Sequence, residues 1–253
     1  MYIDIEKAKE EFFKYVNNFD TNEKMIDLKL NHSIRVMEIS NNLARKMNLN
    51  EEDTEIATII GLLHDIARFE QYTQYKTFRD VDSRDHGDWA IEILNKDIRK
   101  YVKTDKYDSL IKLAIKNHNK FEIEPNLNER ELLFCKIIRD ADKLDILYEA
   151  TYAFWIGKTE QVNNSEINKN AYKSFCDHQL IKRVKGENYD DYNKVITTVA
   201  FIFDLNFKES FKILKEKDYI NIILNKFNYK DSKIENNIKR IANEYINKKV
   251  GII

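Results

Sequence analysis

The sequence predicts an all-α fold, and three observations carry that prediction. The 253 residues include one proline and five glycines, so breakers of regular backbone are scarce. Apolar residues recur at steps of three and four along almost the whole chain. Runs that alternate apolar with polar residues, as half-buried strands do, are absent. No composition break, low-complexity linker or internal repeat marks a second domain. One helical domain over residues 1–253 is therefore expected.

The elements follow in order. A first helix is expected from about Asp4 to Val16. A second, from about Lys24 to Met47, carries the stripe Val36, Ile39, Leu43 and Met47, with His32 one turn earlier on the same inward face. Asn50 followed by Glu51, Glu52 and Asp53 reads as an N-cap with an acidic first turn. The helix it opens places Ala57, Ile60, Gly61 and His64 on one side. Glycine weakens a helix interior, so Gly61 predicts a close approach by another backbone. Glu70 to Asp82 is polar, aromatic and irregular, and reads as a loop crossing the site. From it Glu70, Gln71, Tyr72, Tyr75 and Phe78 are candidates to line a substrate pocket.

Ser83 is the expected cap of the next helix, with His86 in its first turn. A further helix ends at His118, with Ile111, Ala114 and Ile115 on the same side. Pro125 breaks the chain. Asn128 and Glu131 then form a capping-box pattern for a long helix to about Trp155, on which Cys135, Ile138, Asp142 and Ile146 share a face. Beyond Thr159 the chain continues as helices of mixed charge, with one clear apolar segment from Val195 to Phe207.

Composition narrows the function. Lysine and arginine total 42, aspartate and glutamate 43, which removes the electrostatic case for nucleic-acid binding. Cys135 and Cys176 are isolated thiols and suggest a reducing compartment. Cys135 reads as a small core residue. The first residues lack the basic-then-apolar order of a signal peptide, and the longest apolar stretch is too short to span a bilayer. A soluble, cytoplasmic protein without membrane partners is expected, and nothing specifies an oligomer.

Chemistry gathers around His64-Asp65, at the end of the apolar run Ile60-Gly61-Leu62-Leu63. Burying a histidine and an aspartate is costly unless something pairs with or coordinates them. A lone histidine on an apolar face is more often a hydrogen-bonded core residue than a ligand. Here, however, His32, His64, Asp65, His86, His118 and Asp142 recur on inward faces or at helix ends. Imidazole and carboxylate without thiolate suit Mn, Fe, Co, Ni or Zn, and argue against a structural zinc finger. His178 belongs to no such pattern and reads as exposed.

The ordered spacing His…His-Asp…His…His…Asp resembles the HD-domain superfamily of metal-dependent phosphohydrolases, over roughly Asn31 to Tyr148. Asn31-His32-Ser33-Ile34-Arg35-Val36 is similar to the family's first-histidine helix. Leu62-Leu63-His64-Asp65-Ile66-Ala67-Arg68 is similar to its eponymous motif, and Arg139-Asp140-Ala141-Asp142-Lys143-Leu144-Asp145 to its last-aspartate helix. The resemblance implies an HD-like helical bundle at about 24–156, with C-terminal helices at about 157–253 packed on it. It implies a first metal site of His32, His64, Asp65 and Asp142, and a second with His86 and His118, with Asp65 bridging. Two divalent ions (Mn, Fe, Co, Ni, Zn or Mg) would then generate hydroxide and clamp a phosphate.

Asp65, Arg68 and Lys143 are the expected catalytic residues, the two cations orienting phosphate. The implied activity is phosphomonoesterase or phosphodiesterase action on a small phosphorylated molecule, with a nucleotide the expected class. The alternatives are a di-iron oxygenase of the same superfamily and a non-catalytic metal- or nucleotide-binding regulator. The chain also departs from the family. Arg68 stands where many members have lysine, and arginine cannot give up a proton. The Gly-Tyr-Pro signature of the cyclic-dinucleotide phosphodiesterases is missing, and Asn119 stands where they often have histidine. Phe69-Glu70 does not continue the motif as in alarmone hydrolases. Both substrates are disfavoured.

Overall fold

The computed structural model describes residues 3–152, 166–182, 191–226 and 231–251, and no strand occurs among them. The protein is all-α. The chain divides into two compact units, Met1–Asp142 and Lys143–Ile253, and the division falls inside a long helix, Glu129–Ala150. The expected end of that helix near Trp155 lies outside the described residues.

The first unit is built from α1 (Ile5–Val16), α2 (Lys24–Lys46), α3 (Glu51–Leu63), α4 (Arg68–Tyr75), α5 (His86–Tyr101), α6 (Asp108–Asn117) and the first part of α7 (Glu129–Ala150). Asp4 caps α1 by accepting from the Lys7 amide at 3.0 Å. Asn50 caps α3 as expected, accepting from Asp53 N at 2.8 Å. The short link between α2 and α3 makes them an antiparallel hairpin, with His32 opposite His64, Met37 opposite Gly61 and Asn41 opposite Thr58. The expected close approach is real: a Cβ on Gly61 would lie 2.9 Å from both Val36 O and Met37 Cα.

Helix α3 is buried on all sides from Thr54 to Leu63, packed against α1, α2 and α6. Each fully buried Ile or Leu contributes about 1.5–3 kcal/mol against the chain entropy it must offset. That burial fixes the end of α3, where His64 and Asp65 sit. On α2 the inward face is Val36, Met37, Ser40, Leu43 and Ala44, with Ile39 and Met47 only half-buried.

Two expectations need correction. The stretch read as an irregular loop from Glu70 begins as helix α4. Phe69 is fully buried in an aromatic cluster, 5.8 Å from the rings of Phe12 and Phe19 and 6.2 Å from Tyr15, so packing overrides weak local propensity. Lys76, at φ 53°, ends the helix in the left-handed region. Helix α5 does start at His86, but its cap is Asp85, which accepts from Asp88 N at 3.0 Å. Ser83 instead donates to Arg79 O and accepts from Gln71, at the end of a 3-10 turn over Asp80–Asp82. The capping box of α7 is complete: Asn128 Oδ1 accepts from Glu131 N at 3.0 Å, and Glu131 Oε2 accepts from Asn128 N at 2.9 Å.

The second unit holds the rest of α7, α8 (Lys169–Cys176), α9 (Asp191–Val199), α10 (Lys208–Lys217), α11 (Tyr219–Leu224) and α12 (Ser232–Val250). Its core includes Phe175, Val195, Val199, Ile202, Phe211, Ile223 and Ile238. The apolar segment from Val195 leaves the α-helix at Val199 and continues as a 3-10 turn over Ala200–Asp204. No described helix is long and apolar enough to cross a membrane.

Candidate metal centre

Helix ends position most of the candidate ligands. His64 is the C-terminal cap residue of α3 and Asp65 follows it; His86 is the first residue of α5; His118 caps the C-terminus of α6. His32 lies within α2 and Asp142 on α7. The structure brings these residues together inside the first unit. His32, His64, Asp65, His86 and His118 are all buried, and the Asp142 side chain is 15% exposed.

The distances divide them into two groups. His32 Nε2 lies 3.2 Å from His64 Nε2 and 3.2 Å from Asp142 Oδ1, and His64 Nε2 lies 3.7 Å from the same oxygen. His86 Nε2 and His118 Nε2 are 3.0 Å apart. Asp65 serves both groups with different atoms. Its Oδ2 is 3.4 Å from His32 Nε2 and 3.6 Å from His64 Nε2, whereas its Oδ1 is 3.4 Å from His86 Nε2 and 3.6 Å from His118 Nε2.

Donors sharing one cation at about 2.1 Å stand roughly 3.0 to 3.4 Å apart at octahedral or tetrahedral angles. The separations in both groups are close to that spacing. The hydrogen bonds behind the rings agree. His64 Nδ1 donates to Gly61 O at 2.8 Å and His118 Nδ1 to Ile115 O at 2.6 Å. His86 Nδ1 donates to Asp80 Oδ2 at 2.7 Å. A carbonyl or carboxylate only accepts, so the proton sits on Nδ1 and the Nε2 lone pair points inward. The 3.0 Å contact of His86 with His118 therefore faces two lone pairs, which repel unless a cation lies beside both. The residues present fit two divalent cations.

Burial holds the His64 imidazole below its ordinary pKa of 6.5. Burial and the neighbouring Arg68 charge take His86 down to about 3. Neutral imidazole is the ligating form. For Asp65, burial works to raise the pKa but is outweighed by Lys29, His64 and Arg68, which hold it well below the usual range. For Asp142 burial likewise works to raise the pKa, and the neighbouring His32 and His64 outweigh it, so it too lies well below the usual range. Both carboxylates are ionised at neutral pH.

Around the candidate ligands stand residues that the sequence did not single out. Asp80 holds the His86 ring and accepts from Arg68 Nη1 at 3.2 Å, Gln71 Nε2 at 2.9 Å and Asn119 Nδ2 at 3.2 Å. A carboxylate behind a ligating histidine fixes its tautomer and raises its basicity. Lys29, one helical turn before His32, places Nζ 2.7 Å from Asp65 Oδ2. Its position three residues from a candidate ligand was the available clue. Asp80, in an irregular loop, offered none.

The expected phosphate contacts are placed as follows. Arg68 Nε reaches Asp65 Oδ1 at 3.3 Å, while Nη1 donates to Phe78 O at 2.6 Å and Gln71 Oε1 at 2.7 Å as well as Asp80. Lys143, in the second unit, is buried with its ammonium 2.8 Å from Asp204 Oδ2. Among the loop candidates, Gln71 is fully buried and Phe78 lies under the cations of Lys29 and Arg68, at 5.4 and 5.6 Å. Tyr72 packs on Phe78, and Tyr75 is exposed beside Trp89. Burial pushes the Cys135 thiol up to about 12, so it is no thiolate. His178 is exposed and stacks on Phe203 at 5.3 Å.

No curated protein and no solved structure matches this chain. The family model of the HD domain matches residues 30–147, a span that contains all six clustered residues. Its members are generally metal-dependent phosphohydrolases. Residues 30–147 of this chain are an HD domain.

Proposed function

We propose that the protein hydrolyses a phosphate ester or anhydride in a small molecule, with two divalent cations held by its HD domain. His32, His64 and Asp142 would hold one and His86 and His118 the other, with one oxygen of Asp65 for each. The supporting observation is that split of Asp65: Oδ2 faces the first pair of imidazoles and Oδ1 the second. Cations bound there supply Lewis acidity, neutralising a phosphoryl group and acidifying water near neutral pH. Phosphoryl transfer asks for positioning and charge stabilisation more than covalent chemistry.

The chain's own residues supply the positioning. Asp80 holds the His86 ring from behind, and the backbone carbonyls of Gly61 and Ile115 hold those of His64 and His118. Arg68 spans Asp65 and Asp80, so it fixes both carboxylates and keeps a positive charge beside them. Lys143 falls outside this reading, because its ammonium is already buried against Asp204. Small phosphorylated molecules are the substrate class, and nucleotides are the first to try.

The test is a phosphatase panel on metal-loaded protein, wild type beside Asp65→Ala. Asp65→Ala should lose activity by roughly 10³-fold or more, since it removes a ligand from both groups. Wild-type turnover in that variant would sink the reading. Iron-specific, oxygen-dependent turnover with no phosphate release would replace it with the oxygenase reading.

A further inference from the structure

We propose that Lys29 is a substrate-binding residue whose ammonium leaves Asp65 for a phosphoryl oxygen when the cations are in place. This rests on the phosphohydrolase reading above. Lys29 Nζ lies 2.7 Å from Asp65 Oδ2, and its side chain is 13% exposed, so most of it is covered while part still meets solvent. The partner oxygen is the decisive detail. Asp65 Oδ2 is also the atom that faces His32 and His64, and thus the atom a first cation would take. Once a dication takes it, the carboxylate no longer needs the ammonium, and the two positive charges repel. A nearly buried ammonium left without an anion is costly. The anion that such a site brings in is the phosphate of its substrate.

Two neighbours show why Lys29 carries this role and Arg68 does not. Arg68 is tied to Asp65, Asp80, Gln71 and Phe78 O, which leaves its guanidinium fixed. Lys29 has a flexible four-carbon stem and an ammonium with three donors. Asp65 takes one of them, and the Phe78 ring, 5.4 Å away, covers the cation from one side. That ring confines the ammonium while leaving it donors for a ligand.

The experiment measures inorganic phosphate binding to manganese-loaded protein by calorimetry, together with metal content by elemental analysis. Wild type, Lys29→Met and Lys29→Arg are compared. Lys29→Met should keep the wild-type number of ions and bind phosphate roughly 10- to 100-fold more weakly, the loss of one charged hydrogen bond. Lys29→Arg should recover part of that loss. Should Lys29→Met fail to fold, Lys29→Gln makes the same comparison, because its amide can still donate to Asp65. Unchanged phosphate affinity in a metal-loaded uncharged variant overturns the proposal and leaves the phosphohydrolase reading standing. Loss of the ions in that variant also overturns it, since Lys29 would then serve the ligand cage alone. Wild-type protein that holds its ions and binds no phosphate overturns both.

Discussion

His64 and His86 are buried, and burial works against their charged forms. That gives the metal-free protein a defined pH dependence. The folded-state pKa of His86 is about 3 and that of His64 is also below 6.5, whereas both return to about 6.5 on unfolding. Between those values the unfolded chain binds protons that the folded chain does not, so stability falls as pH drops below 6.5. Each such imidazole contributes a slope of up to about 1.4 kcal/mol per pH unit. Asp65 and Asp142, held below the usual 3.8, continue the loss at still lower pH. Denaturant midpoints of metal-free protein from pH 8 to pH 4.5 should be flat above 7 and then decline. His86→Gln should make the decline shallower, and an equal slope in that variant would contradict the assignment. Acid should also release bound metal, because protons compete for the same lone pairs.

Between helices, the decisive contact is the one at Gly61, where α2 and α3 come close enough to face His32 with His64 across 3.2 Å. Gly61→Ala puts a methyl group 2.9 Å from backbone on α2, and backbone cannot rotate away as a side-chain tip can. The substitution should cost about 1–3 kcal/mol in a denaturant titration and weaken metal binding as the hairpin opens. An unchanged midpoint would show that the hairpin has slack. Much of this level could be read from the sequence: Gly61 as a close approach, Asn50 and Asn128 as caps, His32 on an inward stripe. What could not be read depends on long-range packing. Helix α4 forms because Phe69 is drawn into a cluster with Phe12 and Tyr15, more than fifty residues earlier in the chain. Asp85, not Ser83, caps α5 because Ser83 is engaged by Gln71 and Arg79. Asp80 finds His86 and Asn119 only once the loop has folded.

On the scale of the molecule, one compact unit, Met1–Asp142, carries the entire cluster of candidate ligands, and the HD domain spans most of it. The six residues come from positions 32 to 142, and five helices converge to place them. Their order along the chain was enough to find them. Their grouping into two sets around the two oxygens of Asp65 needed coordinates, because spacing in sequence does not say which oxygen faces which ring. Cations held among these lone pairs and carboxylates would bind the folded state and not the unfolded one, so metal should raise the melting temperature of the whole unit.

The proposed chemistry needs two cations in the HD domain, and a count of bound metal decides whether they are there. Elemental analysis of protein purified without chelator should find about two divalent ions per chain in the wild type and about one in His86→Ala. A single ion in the wild type, or the same count in both proteins, would contradict the two-cation reading. No ion even after reconstitution would mean that the cluster is a polar core.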